Sequence, residues 1–297
     1  MNNYKNGENF GVESQTGVLT DILLGKPDQF RWVPLNSLSA VTFANQEKLG
    51  VSLDKQKAMQ QHQKMVDVYE KAGVRCHFVE ADEGSPSSVF TRDSSFMTPW
   101  GAVITSIQTP PRRQDYSIVS EFYRQANVPI WKWVTAGHFE GGDFVIIKPG
   151  VVLLGWAGDR STKEGADQVA GWFREMGWEA IVVPIPPQFV HMDAVVVMVE
   201  KGLALVCEDA LPEYALDILK NDLELEIINV PYADCVKLGG NVVSLGNRRI
   251  LSMSHNVNVN QKLTDLGFEV TAVDYDMFAF GGGGVHCSCQ DLKRIAD

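Results

Sequence analysis

The sequence predicts an α/β fold of five related units closed into a ring, and three features of the 297-residue chain predict it. A helix-like segment that ends in a turn residue and runs into an apolar, β-rich strand recurs. Its turn positions are 73, 127, 177, 222 and 267, spaced 54, 50, 45 and 45 residues apart. The intervals between these turns hold two apolar runs joined at a glycine, as a β-hairpin requires. A stretch with apolar residues three or four apart, the helical pattern, then follows. Every unit therefore reads hairpin, helix, strand. An ordinary doubly wound sheet is the alternative, and it leaves the regular spacing without a cause.

In chain order, YEKAGVRCHFV closes the first unit, with Gly73 where a helix C′ residue takes a left-handed backbone. FMTPWGAVI makes a hairpin around Gly101, DYSIVSEFY a helix from Asp115, and RQANVPIWKW repeats the turn-and-strand step with Asn127. FVIIKPGVVLLG turns at Gly150, GADQVAGWF is helical from Gly165, and REMGWEAIVV enters its strand at Gly177. VVVMVEKGLALVC turns at Gly202, PEYALDILK is helical after Leu211, and LKNDLELEIINV puts Asp222 at the turn. VVSLGNRRIL turns at Gly246 and TDLGFEVTAV at Gly267.

Composition narrows the function. With 45% hydrophobic and 21% charged residues the chain can bury a large core. The longest apolar run, 194–199, falls short of the roughly 20 residues of a membrane crossing, and MNNYKNGENFG lacks the apolar centre of a signal peptide, so a cytoplasmic location is expected. Five cysteines (Cys76, Cys207, Cys235, Cys287, Cys289) are odd in number and sparse, so reduced thiols are expected. A net charge of −11 without a basic cluster argues against nucleic acid or an anionic membrane as partner and leaves homo-oligomerisation open.

In a ring of related units, equivalent positions converge on the axis. Just ahead of the hairpin turns lie Asp93 in VFTRDSS, Glu140 and Asp143 in HFEGGDF, His191 and Asp193 in VHMDAV, and Gly239 and Asn241 in KLGGNV. The fifth equivalent is FGGGGVHCSCQ, residues 280–290, which sets four glycines before His286, Cys287 and Cys289. A ring gathers these carboxylates, a histidine and a thiol in one pocket. A cysteine thiolate attacks an electrophilic carbon, and paired carboxylates bind the N–H groups of a planar cation, so a guanidinium compound is the fitting substrate. Its positive charge helps hold the thiolate ionised, and His191 can protonate the departing amine and then activate water. The glycines let the backbone approach a flat head group closely. No cofactor or metal is called for.

Simpler roles compete for each residue. Asp93 could be an ion-pair partner beside Arg92, and His191, next to AVVVMV, a satisfied core histidine; His62 and His77 carry only that second reading. His286, Cys287 and Cys289 could make half a zinc site, but no second ligand pair of short spacing accompanies them. The glycine run lacks the Gly-Lys-Ser/Thr ending of a phosphate loop.

The ordered set FTRD, EGGD, HMD and GGGGVHC resembles the guanidino-group modifying enzymes: arginine deiminase, dimethylarginine dimethylaminohydrolase, agmatine deiminase and the amidinotransferases. The resemblance runs from about Leu23 to Arg294. It implies a five-bladed β/α-propeller with pseudo-fivefold symmetry and a single catalytic domain over residues 1–297. By the same match Cys287 looks like the nucleophile, His191 the general acid and base, and Glu140 its acidic partner. Asp93 and Asp193 look like the guanidinium ligands, Arg92 within FTRD is counted with them as substrate-binding, and Cys289 falls outside the motif.

VFTRDSSFMTPWGAVI and GDRSTKEG look most like dimethylarginine dimethylaminohydrolase and arginine deiminase, and place Arg160 at the substrate carboxylate. GGGGVHCSCQ looks closer to agmatine deiminase and the amidinotransferases, yet the Trp-x-Arg-Asp segment of agmatine deiminase is absent. The added helical domain common in arginine deiminases is not expected within these 297 residues. The expected reaction is hydrolysis of arginine or an N-substituted arginine through a covalent S-alkylthiouronium. An amidinotransferase, an agmatine-type deiminase, and a guanidino-binding or thiol redox-sensing protein using Cys287 and Cys289 are the alternatives.

Overall fold

Apolar strand runs joined by amphipathic helices produce the same three-stranded sheet five times in the computed structural model, which describes residues 10–295. In the first sheet β1 (Val18–Gly25) runs parallel to β2 (Arg75–Val79), with helices Ser37–Leu49 and Lys55–Lys71 between them. The second holds β3 (Ser95–Thr98), β4 (Gly101–Ile104) and β5 (Ile130–Trp133), and the third β6 (Phe144–Lys148), β7 (Val151–Trp156) and β8 (Glu179–Pro184). The fourth holds β9 (Val196–Glu200), β10 (Leu203–Val206) and β11 (Glu226–Asn229), and the fifth β12 (Val243–Gly246), β13 (Arg249–Met253) and β14 (Glu269–Val273). In each of these four the first two strands form an antiparallel hairpin and the third returns parallel to the second.

A parallel return needs a crossover, and a helix supplies it. The helix Lys163–Glu175 shows the local logic. The Thr162 hydroxyl caps it by accepting from the Gly165 N–H at 3.3 Å, and Ala166, Val169, Ala170 and Phe173, three or four apart, form its buried face.

The first sheet is completed by the other end of the chain. β15 (Cys289–Ile295) lies antiparallel to β1, from the pair Val18 and Ile295 to the pair Leu24 and Cys289. The missing hairpin strand thus comes from the C-terminal segment, and the join leaves no open seam. Neighbouring sheets pack through their first strands: β3 against β15, β6 against β9, and β9 against β12. Phe96 of β3 stacks on Phe144 of β6 with ring centroids 4.2 Å apart. The five-bladed ring of the sequence reading is present, and five separate sheets exclude one doubly wound sheet.

One turn position differs. Asn127, Gly73, Gly177 and Gly267 take positive φ as expected, but in the fourth unit the left-handed residue is Glu224, φ 54°, and not Asp222. The helix Glu213–Asp217 continues as a π-helical stretch, Ile218–Asp222, and this wider turn carries the chain two residues further before β11. Among the described residues no helix is long and apolar enough to cross a membrane.

Candidate active site

The step ahead of each blade's first strand delivers the chemistry. Asp93 precedes β3, Glu140 and Asp143 precede β6, His191 and Asp193 precede β9, Asn241 precedes β12, and Cys287 precedes β15. Asp93, His191, Asp193 and Cys287 line one cavity together with Arg112, Arg160, Phe90 and Leu35.

The thiol is held from blade five. Asn241 Nδ2 donates to Cys287 Sγ at 3.2 Å, and Asn241 Oδ1 accepts from the His286 N–H at 2.9 Å. A Cβ on Gly284 would stand 2.3 Å from that Oδ1, so the amide reaches the loop only because residue 284 has no side chain. The expectation that the glycine run admits a flat head group keeps support from Gly282 and Gly283, which line the cavity. Gly284 answers first to Asn241. Burial, then the Asp193 and Asp93 charges, push the Cys287 thiol well above its usual value, with the Asn241 bond opposing them. The resting thiol is protonated.

His191 is set by its neighbours. Its Nε2 lies 2.9 Å from Glu140 Oε2 and its Nδ1 3.4 Å from Asp93 Oδ1. A Cβ on Gly142 would come within 2.6 Å of Nδ1, which explains the second glycine of EGGD. Asp143 Oδ1 accepts from the Met192 N–H at 2.8 Å, pinning the residue beside the histidine. Val190 takes φ 71° and ψ −59°, with the His191 N–H donating to Phe189 O at 2.8 Å. A β-branched residue in that tight turn stores strain of about 1–3 kcal/mol directly before the imidazole.

The charges complete the picture. Burial disfavours the His191 imidazolium, but Asp93, the Glu140 bond and Asp143 outweigh it and raise its pKa to about 9. It is protonated at neutral pH. Burial also works against the Glu140 carboxylate, yet Arg160 and His191 hold it well below the usual carboxylate range. Asp193 is likewise held low despite burial, chiefly by His286, whose Nδ1 lies 2.7 Å from Asp193 Oδ2. Asp93 pairs through Oδ2 with Arg112, and its Oδ1 is buried without a hydrogen-bond partner.

Three arginines differ in standing. Arg160, expected at a substrate carboxylate, lines the cavity, but its Nε and Nη2 donate to Glu140 at 2.9 and 2.5 Å and its Nη1 to Leu35 O at 3.3 Å. Arg92 is not among the lining residues; its buried guanidinium turns to β15 and meets Asp291 at 3.2 Å. Arg112 was absent from the sequence reading. It lines the cavity between Asp93 and Asp115, whose Oδ2 accepts from its Nε at 2.9 Å. The Arg-x-x-Asp spacing at a helix start was the one local signal for it.

His62 and His77 are buried away from the cavity, His77 beside Asp21 at 2.9 Å and His62 with its pKa lowered by burial to about 4. Cys289 is buried at the start of β15 and does not line the cavity. Asp93, Glu140 and His191 offer ligand atoms within 4.8 Å of one another, close enough for one metal ion. Arg112 and Arg160 already neutralise those carboxylates, so a cation there would displace two guanidinium groups.

Residues 29–294 match the protein family described as N,N dimethylarginine dimethylhydrolase, eukaryotic. The uncharacterized protein YkgA of Bacillus subtilis (strain 168) is 28% identical over 239 residues, covering 80% of each chain. The arginine deiminase of Rhodococcus opacus (strain B4) is 26% identical over 247 residues, which is 70% of this chain but 60% of that one. Among solved structures, the product-bound N-terminal domain of ArgZ, an arginine dihydrolase of the ornithine-ammonia cycle in cyanobacteria, superimposes with a TM-score of 0.80 at 18% identity. The match covers 92% of this chain and 97% of that one, a likeness of fold.

Proposed function

The chain belongs to the N,N-dimethylarginine dimethylhydrolase family of guanidino-modifying enzymes, and on that premise we propose that it hydrolyses the guanidino group of arginine or an N-substituted arginine. The observation that supports this reading is one cavity holding the Cys287 thiol, His191 and two buried carboxylates, Asp93 and Asp193.

The guanidinium of the substrate binds between Asp93 and Asp193, and its positive charge offsets the two carboxylates that hold the thiol proton on. As the cation binds, Cys287 releases that proton to bulk water, and the thiolate attacks the central guanidinium carbon. His191, charged at rest, gives its proton to the departing nitrogen, and the amine leaves an S-alkylthiouronium on Cys287. The now neutral imidazole takes a proton from water, the hydroxide adds to the same carbon, and the thiolate is expelled with a urea-type product. Glu140, bonded to His191 Nε2, holds the imidazole in orientation through both steps. Incubation with arginine, methylated arginines, agmatine and guanidino acids, followed by mass analysis of products and enzyme, tests the reading. A transferred amidino group in place of a urea-type product would assign the protein to amidino transfer.

Arg160 is proposed as the anchor of the substrate carboxylate through the part of its guanidinium that now donates to Leu35 O. A charge-assisted bond of this type is worth about 1.5–3 kcal/mol. Arg160→Ala also strips Glu140 of its guanidinium partner, so it is expected to slow every substrate, with a further loss in kcat/KM of about ten- to a hundredfold for arginine that agmatine does not share. Equal loss on both would mean that Arg160 serves Glu140 alone.

The thiol, imidazole and carboxylates supply nucleophile, proton carrier and charge binding without a metal. Chelator treatment is expected to leave turnover within about twofold. One zinc per chain by elemental analysis, with turnover lost on its removal, would reverse that expectation.

A further inference from the structure

Arg92 grips the chain on both sides of Cys287. Its backbone N–H donates to Cys287 O at 3.2 Å and its Nε to His286 O at 3.4 Å. Beyond the cysteine, Nη1 reaches Gln290 Oε1 at 3.4 Å and Nη2 reaches Cys289 Sγ at 3.6 Å and Asp291 Oδ1 at 3.2 Å. The same residue is bonded in sequence to Asp93, whose carbonyl accepts from the Gly141 N–H at 3.0 Å on the next blade. A Cβ on Gly141 would fall 2.2 Å from Arg92 O, so the main chain at this point is packed against the EGGD loop without play.

We propose that Arg92 is a positioning residue, a brace at the join of the two chain ends that fixes the sulfur of Cys287 relative to the carboxylate of Asp93. The proposal rests on the hydrolase reading above. Cys287 rides on the terminal segment, which enters the ring by pairing with β1 from 265 to 277 positions away in sequence, while Asp93 rides on the second blade. An attack at carbon needs the thiol and the guanidinium ligand in one register, and a misplacement of about 1 Å can cost about a hundredfold in rate. The five donors of a guanidinium span both flanks of the nucleophile, which an ammonium cannot do from a single point.

The competing role is purely structural: Arg92 as counter-charge to buried Asp291, which also accepts from Arg294 Nε at 2.8 Å. The paired variant Arg92→Met with Asp291→Asn removes both charges, and Arg294, which loses Asp291, keeps its bonds to the Gly17 and Ser244 carbonyls. It is expected to keep a melting temperature within a few degrees of the parent while kcat falls about ten- to a hundredfold with KM changed less than about threefold. The preference of Cys287 for a haloacetamidine, which docks on the carboxylates, over neutral iodoacetamide is expected to shrink about tenfold. If the pair fails to fold, Arg92→Lys, which keeps the charge without the fork, is expected to show the same loss of kcat and of alkylation preference. A variant that folds and retains the parent's kcat and preference overturns the brace. Should the parent itself show neither turnover nor preference, the functional reading falls, and the brace falls with it.

Discussion

Cys287→Ser is expected to lower kcat by about four orders of magnitude or more, whereas Cys289→Ser keeps most of it. The site is hostile to an anion at residue 287 until a cation arrives: burial, Asp193 and Asp93 all favour the neutral thiol. Substrate charge can tip a thiol across that barrier, but a serine hydroxyl starts several pKa units higher, and His191 is already protonated and cannot serve as its base at neutral pH. Cys289, two residues on, begins β15 with its Sγ donating to His286 O at 3.3 Å inside the core. Its replacement by serine disturbs packing and leaves the reacting atoms in place. The kcat values of both variants, and peptide mapping after reaction with a haloacetamidine, decide the matter. Equal loss in the two, or an adduct on Cys289, would sink the assignment.

The repeat was legible because its cause is local. A helix that must end and feed a strand needs a left-handed residue, and Gly73, Asn127, Gly177 and Gly267 supply it within their own segments. Glu224 escaped because a π turn has no composition of its own; Asp222 looked the better turn former, and only the helix's packing decides where it widens. The pairing of β15 with β1 escaped for a different reason. Neither strand announces a partner that lies at the other end of the chain, and only ring closure brings them together.

The candidate site divides along the same line. Asp93, His191, Asp193 and Cys287 could be placed together because each occupies the same step of a repeated unit, so symmetry stood in for distance. Arg112 belongs to no repeated step; it reaches the cavity from a short helical turn before Asp115, and its link to Asp93 is tertiary. Arg92 shows the converse limit. Its place beside Asp93 in FTRD suggested the substrate, but in the turn over residues 91–94 the two neighbours part, and Asp93 takes the cavity while Arg92 takes the terminal strand.

His191→Asn is expected to reduce turnover of arginine substrates by about 10²–10⁴-fold and to separate the two chemical steps. Unlike Arg112 and Arg160 at the same cavity, which hold their protons, the imidazole is charged at rest with its pKa raised to about 9 and can give up a single proton. Glu140 on Nε2 and the backbone of Gly142 against Nδ1 fix its ring, and an asparagine can fill that space but can neither donate nor accept a proton at useful pKa. A nitrogen leaving group needs the proton, so with arginine the first step stalls. An S-alkyl isothiourea analogue departs as a thiol that needs little help, so its first step proceeds in the variant, while attack by water still lacks a base. The covalent adduct on Cys287 therefore accumulates with the analogue and not with arginine. Intact-mass measurement of the variant after each incubation reads this directly. If the variant turns the analogue over repeatedly, another group activates water. If it forms no adduct with either compound, His191 acts before bond formation, and the assignment of the proton to the leaving nitrogen is wrong.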